Sequence, residues 1–404
     1  MQLIQGHSRL GKRDIDRDFD WHHNYTTVED LRHRESYLES KKRLAIIHED
    51  IPDVDIANLV NNQRRIFLRV VDHYRRTLAG ENPAPLQINI DGTASTGKSY
   101  LIDVLTKALT EMAGERGQSY PILRVAPTGI AAFNIHGSTL HQALSIPIRG
   151  NTRLNPQQLL VLQGRLKPIN YIILDEKSMV GRNLFSKVDS RLRDGFPADR
   201  RGEYFGGCSL LLLGDFGQLP PVADTALFDL GLRDGSSDSV LESNKGRDAY
   251  LSLTESITLN RIMRQREEGE NARRFRELLE DFRKNEVSDE DVELLNSRLL
   301  DDLSPEERTA FDDALCLCPT NALVDDLNHY RLGASNKPVV IVPAMHTGRG
   351  ASKESEENAE GLQKRLLLIE GAKVMLTRNL WTAQGLTNGT MGVIGTLPNP
   401  LIVF

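Results

Sequence analysis

The chain has 404 residues, of which 39% are hydrophobic and 26% charged, and a formal net charge of −6. That length exceeds one compact core, so two or three domains of about 100–200 residues each are expected. The composition is that of a soluble globular protein, and no apolar run approaches the roughly 18 residues needed to cross a bilayer, so no membrane partner is expected. The negative balance gives no global sign of a polyanionic partner, and any nucleic-acid groove would have to be local. The three cysteines, Cys208, Cys316 and Cys318, make neither a disulfide framework nor a zinc pattern and suit a reducing compartment.

Residues 1–55 read as a polar N-terminal tail. Its cluster WHHNY, Trp21 to Tyr25, is expected to cover a neighbouring surface rather than to bind a ligand or stack on a base. Ile56 to Leu78 carries a helical pattern whose arginines (Arg64, Arg65, Arg69, Arg75 and Arg76) read as a solvated face. AGENPAP then breaks the chain. From 86 to about 255, short apolar runs alternate with helical stretches. The strand candidates LQINID, PILRVA, YIILDE and SLLLLGD predict a parallel sheet with helices on both faces. From about 256 to 300 the pattern is helical and highly charged. A second strand-like series follows, ALCLCPT, PVVIVPAM, AKVMLTRN and MGVIGTL, interrupted by the polar loop GRGASKESEENAEGLQKR.

Chemistry enters at GTASTGKS, Gly92 to Ser99, between the alternating run Leu86–Ile88–Ile90 and a helix face of Leu101, Val104, Leu105, Ala108 and Leu109. In the pattern GxxxxGK[ST], the loop amides and the helix N-terminus converge on the phosphates of a nucleotide such as ATP. The loop residues Gly92, Thr93, Ala94, Ser95, Thr96 and Gly97 would wrap the phosphates. Lys98 would reach the β- and γ-phosphates, and Ser99 would ligate Mg2+. YIILDEKSM ends an apolar strand in two acids, 77 residues after Lys98. Asp175 suits Mg2+ through its water shell, and Glu176 suits orientation and deprotonation of an attacking water. Gln218, in LLLLGDFGQLPPV, can both donate and accept, and near a γ-phosphate it could sense whether that group is present; an ordinary proline-rich turn is the competing reading. APTGIAAFNIHGSTLHQAL offers hydroxyls and small residues at strand ends that can bind a phosphate backbone without reading sequence. His141 taken alone reads as structural.

Together, GTASTGKS, APTGIAAFNIHGSTLH, DEKSM and GDFGQLPPV resemble superfamily-one DNA helicases of the Pif type, relatives of RecD, with DEKSM closest to fungal and Helitron-type chains. The resemblance runs from about 60 to 397. It implies a P-loop fold with a RecA-like ATP-binding domain at 56–255 and a partial second RecA-like domain at 256–404. It also implies single-stranded DNA as partner, ATP and Mg2+ as cofactors, 5′-to-3′ translocation, and residence in the nucleus or the mitochondrion. Gln63, in VNNQRR, matches a glutamine that reads adenine. Arg264, in RIMRQ, matches an arginine that faces the γ-phosphate. Thr128, His141, Thr320 and Asn321 match strand-contacting positions. Two departures stand out. Ser95 replaces a loop glycine, at a cost of about 1 kcal/mol if that position needs a positive φ. Lys177 stands where an apolar residue is common. The family's later motifs, a TxHK[ST]QG-like segment and a final S-R with a second arginine, are absent. This suggests a truncated helicase, with a nucleotide- or DNA-binding remnant without turnover as the alternative. The expectation is weak Mg·ATP binding, little hydrolysis, no duplex unwinding, and a second half more sensitive to protease than residues 86–255. A P-loop small-molecule kinase fits less well, because GDFGQLPPV and the second domain would have no role.

Overall fold

The computed structural model of the chain describes residues 10–18, 54–147, 153–263, 269–312, 314–355, 359 and 362–395. The contacts divide the chain into two compact units. One comprises residues 47–286 with 379–388, and the other 1–46, 287–378 and 389–404. WHHNY lies outside the described residues.

The larger unit is built on a six-stranded parallel sheet in the order β3-β2-β4-β5-β1-β6. Its strands are β1 (Gln87–Gly92), β2 (Ile122–Ala126), β3 (Ser138–Thr139), β4 (Tyr171–Leu174), β5 (Ser209–Gly214) and β6 (Glu255–Leu259). β4 and β5 are buried along their whole lengths, as expected for near-continuous apolar runs covered on both faces. β1 pairs with β5 on one side (Ile88 opposite Leu211) and β6 on the other (Ile88 opposite Glu255).

Alternation along the strands builds two cores. Ile88, Ile90, Ile173, Leu211 and Leu213 face α1 (Asn61–Leu78) and α2 (Lys98–Gly114), which supply Ile66, Val70, Tyr74, Leu101 and Leu105. On the opposite face, Ile172, Leu174, Leu210 and Leu212 meet Leu162 of α5 (Pro156–Leu166) and Phe185, Val188 and Leu192 of α6 (Arg182–Gly195). Two short helices, α3 (Gly129–Asn134) and α4 (Leu140–Ala143), flank β3, and α7 (Asp238–Leu251) lies across α6. The arginines of α1 are exposed. Arg65 and Arg69 come no closer than 3.8 Å to Glu255, so they form the solvated face expected of them.

Four of the six strands coincide with the apolar runs of the sequence. β3 has only two residues and carries no periodic signal. β6 corrects the helical reading of the stretch beginning near 256. Its run ESITL alternates, burying Ile257 and Leu259, before the charged helix α8 (Glu270–Lys284) begins.

The smaller unit begins with a one-turn helix, Asp14–Arg17, and continues with α9 (Asp289–Asn296), α10 (Pro305–Ala310) and α11 (Asn321–Ala334). Among its described residues, the strands form two antiparallel pairs: β7 (Val340–Pro343) with β8 (Arg365–Leu368), and β9 (Lys373–Met375) with β10 (Met391–Val393). Its apolar centre is small: Leu10, Val339 and Ile369. The strand read in ALCLCPT does not form. Leu315 and Leu317 stand 66% and 91% exposed, and no described strand lies alongside to satisfy the backbone there.

Candidate nucleotide-binding site

In an open parallel sheet, ligands are held by the loops that leave the carboxyl ends of the strands. Here three such loops carry the chemistry. The first runs from β1 into α2. Thr96 is buried, and its hydroxyl donates to the Thr93 carbonyl at 2.9 Å. Lys98 folds back over the loop, its Nζ donating to the carbonyls of Gly92 (2.7 Å) and Thr93 (3.1 Å). Gly97 has φ +80°, and a Cβ on it would stand 2.4 Å from Gln63 Nε2, so the position requires glycine. Ser95 also has a positive φ, +68°, which meets the condition for its cost of about 1 kcal/mol. Ala94 and Ser99 are exposed on this loop and at the start of α2, whose first amides have no partner inside the helix. The Met263 amide donates to the Ser95 carbonyl at 2.7 Å, so the segment after β6 is tied to the same loop.

Gln63 is 1% exposed. Its Nε2 donates to the carbonyls of Thr96 and Gly97, each at 3.1 Å, and its Oε1 accepts from the Val60 amide at 3.1 Å. The glutamine thus braces the phosphate loop against the start of α1. Contact with a base would require exchanging one of these bonds.

The second loop follows β4. Asp175 is 5% exposed, and its Oδ1 is buried with no hydrogen-bond partner among the described residues. Burial pushes its carboxyl above the usual range, against the pull of the Glu176 amide and Lys98. Glu176 is half-buried in left-handed backbone, φ +55° and ψ +47°. Such a conformation costs a non-glycine residue on the order of 1–3 kcal/mol and persists only where its surroundings impose it. Burial, and then the neighbouring Asp175, raise the Glu176 carboxyl. This suits a group that must take a proton near neutrality.

Lys177, which stood out in the sequence as a departure, is fully buried. Its Nζ meets Asn89 Oδ1 and Asp91 Oδ1, both at 2.5 Å, and lies 4.6 Å from the centre of the Phe216 ring. Burial lowers its pKa, and Asp91 opposes that. Gly214 makes room for it, since a Cβ there would stand 2.7 Å from the Lys177 amide nitrogen.

The third loop follows β5. Gln218 is exposed, and its Nε2 lies 3.5 Å from Asp215 Oδ2. Asp215 is 3% exposed and takes a two-pronged ion pair from Arg283 of α8, with Nη1 to Oδ2 at 2.9 Å and Nη2 to Oδ1 at 2.5 Å. Sequence reasoning missed this pair. The partners lie 68 residues apart, and Arg283 sits in a helix dense in unremarkable charge.

The remaining candidates are dispersed. Thr128 caps α3, accepting from the Ala131 amide, and His141 lies in α4, its pKa lowered by burial and by Lys187. Thr320 caps α11 and accepts from the Leu323 amide; it and Asn321 are exposed in the smaller unit. Arg264 lies outside the described residues. Among the described residues, no three His, Cys, Asp or Glu side chains gather as a metal site, and no helix is long and apolar enough to cross a membrane.

Residues 58–293 match the PIF1-like helicase family, and residues 358–397 match the 2B domain of DNA helicase Pif1. Over 377 residues the chain is 26% identical to the ATP-dependent DNA helicase PIF1 of Emericella nidulans, covering 90% of this chain and 45% of that protein. Over 138 residues it is 36% identical to the ATP-dependent DNA helicase RRM3 of Saccharomyces cerevisiae, covering 33% of this chain and 18% of that protein. The chain therefore spans less than half the length of these relatives. The crystal structure of Pif1 helicase from Candida albicans matches with a TM-score of 0.57 at 24% identity, covering 84% of this chain and 69% of that one. Pif1 from Bacteroides in complex with ADP-AlF3 and ssDNA matches with a TM-score of 0.55 at 22% identity, covering 84% and 70%. At these identities the structural likeness speaks for the fold.

Proposed function

The chain belongs to the PIF1-like helicase family, and from that premise we propose that it carries the ATP-hydrolysing unit of an ATP-dependent DNA helicase that moves 5′-to-3′ on single-stranded DNA. The observation that carries the reading is the meeting, at the carboxyl ends of the central strands, of a looped lysine, a buried carboxylate oxygen with no partner among the described residues, and a glutamate held in left-handed backbone with its carboxyl pKa raised. A triphosphate would take over the Lys98 ammonium from the loop carbonyls, replacing neutral acceptors with charged phosphate oxygens. The unpartnered Oδ1 of Asp175 and the exposed hydroxyl of Ser99 fit a magnesium ion, and these two residues would hold it. When bound, that ion supplies charge neutralisation at the phosphates. Glu176 orients a water and takes its proton. Gln218 stands on the adjacent turn to report the γ-phosphate, Gln63 exchanges a loop bond for the adenine edge, and the RIMRQ motif assigns Arg264 to the transferring phosphate. Thr128 and His141 in the larger unit, and separately Thr320 and Asn321 in the smaller, are assigned by their motifs to the backbone of the DNA strand.

Phosphate release measured with and without single-stranded DNA tests the proposal. Expected is a low rate of release, raised by single-stranded DNA, that Lys98→Ala abolishes while leaving the far-ultraviolet spectrum intact. Release unaffected by Lys98→Ala, or ATP affinity unchanged in that variant by calorimetry, would overturn it.

A further inference from the structure

We propose that Arg283 is a positioning residue of the nucleotide cleft: its guanidinium fork fixes Asp215, and with it the Gly217–Gln218 turn, and cancels a carboxylate charge that would otherwise face the incoming polyphosphate. The proposal rests on the ATP-binding reading of the cleft. Its geometry is specific. Both carboxylate oxygens of Asp215 are taken by Arg283, at 2.9 and 2.5 Å. Oδ1 also accepts from the Gly217 amide at 3.0 Å, and the Gln218 amide closes the turn on the Asp215 carbonyl at 3.0 Å. A Cβ at Gly217 would stand 2.4 Å from Arg283 Nη1, so the guanidinium lies directly on the turn and would have to leave its present place to admit a side chain there. Lysine could not replace this planar two-point contact.

The charge argument is independent of the turn. Asp215 is 3% exposed and sits among Glu176, Lys98, Lys177 and Arg283, while Asp91 and Glu280 are the other acids near Arg283. Burial would push the Asp215 carboxyl up, but the Arg283 hydrogen bonds and the Gly217 amide outweigh it and keep the group ionised, below its ordinary value. The cleft therefore holds a permanent negative charge whose compensation comes from α8, outside all three loops. Arg283→Gln leaves the buried Asp215 without its cationic partner, so some loss of stability is expected too, and the affinity and exchange readouts below are chosen because a purely stabilising role would not move them.

The test compares the full chain with Arg283→Gln and with the double variant Arg283→Gln/Asp215→Asn. It reads Mg·ATPγS affinity by calorimetry and amide exchange across residues 215–222. Arg283→Gln is expected to weaken nucleotide binding about tenfold, the scale of one uncompensated charge facing a polyanion across a partly buried cleft, and to speed exchange in the turn. Adding Asp215→Asn should restore affinity, because the offending charge is gone, but leave the turn fast. Wild-type affinity in Arg283→Gln, or a double variant no better than the single, would overturn the charge role. Unchanged exchange in Arg283→Gln would overturn the positioning role. If no variant, the parent included, binds nucleotide, the ATP reading of the cleft fails, and the exchange measurement still decides whether Arg283 holds the turn.

Discussion

Replacing Lys177 by methionine removes one charge from beneath the acidic turn while nearly conserving side-chain volume. The structure sets the size of the effect. The ammonium is fully buried and ion-paired to Asp91 at 2.5 Å, with a second bond to Asn89. Removing one partner of a buried pair commonly costs about 3–5 kcal/mol, because the other charge is left uncompensated. The Asp91 side chain is 33% exposed and can regain some water, which brings the expectation down to about 2–3 kcal/mol. For a unit of this size, each kcal/mol shifts Tm by about 2–4 °C. Lys177→Met should therefore lower Tm by roughly 4–12 °C. Lys177→Met/Asp91→Asn should recover most of that loss, since a neutral pair leaves no orphaned charge. Differential scanning fluorimetry of the three proteins, checked by urea titration, measures it. A Lys177→Met protein as stable as its parent, or a double variant less stable than the single, would refute the reasoning.

Glu176→Gln should reduce DNA-stimulated phosphate release by about 10²–10⁴-fold while retaining ATP binding, because the loss is confined to the base; turnover near normal in that variant would place the base elsewhere. The Glu176 carboxyl is held above its ordinary value of 4.5, so turnover in the parent should fall as pH drops through a value higher than 4.5, the protonated form being inactive. A pH–rate profile with its acid limb below 4.5 would contradict that environment. Binding of single-stranded DNA should be indifferent to sequence and weaken steeply with salt, as phosphate-dominated contacts do. A fluorescence-anisotropy titration that is flat between low and physiological salt would argue against a backbone-tracking groove.

How much of this was legible in the sequence depended on how local each signal was. The phosphate loop could be read because strand, loop and helix are contiguous and each has its own period: alternation at Leu86–Ile90, small residues at Gly92–Gly97, and a helical stripe from Leu101 to Leu109. The apolar runs of β4 and β5 announced a sheet covered on both faces. β6 was hidden because five alternating residues precede a much longer charged helix, and a window that spans both reports the helix. ALCLCPT misled for the opposite reason. Alternation marks a backbone able to pair, but pairing needs a neighbouring strand, and none of the described residues supplies one. Gln63 was found by motif, yet its place as a brace under Gly97 came only from the fold, which brings together residues 34 apart.

The charges around the three loops explain why the least legible residues matter. Asp91, Asp175, Glu176 and Asp215 are four acids in a region that would receive a polyanion, and Lys98, Lys177 and Arg283 are the bases set among them. Two of those bases are already committed, Lys177 to Asp91 and Arg283 to Asp215. Among the described residues, the hydrogen bonds of Lys98 go to neutral carbonyls, so it is the base that can be given to a ligand without orphaning a carboxylate. Among the described residues, the two acids without an ion-pair partner are Asp175 and Glu176, the pair suited to a divalent cation and to an attacking water. The ion pairs of Lys177 and Arg283 thus sort the acids of the cleft into two that support the structure and two that are free for chemistry. Motif spacing could name the second pair because both follow one strand directly. It could not name the first, because each is defined by a partner that only folding brings near.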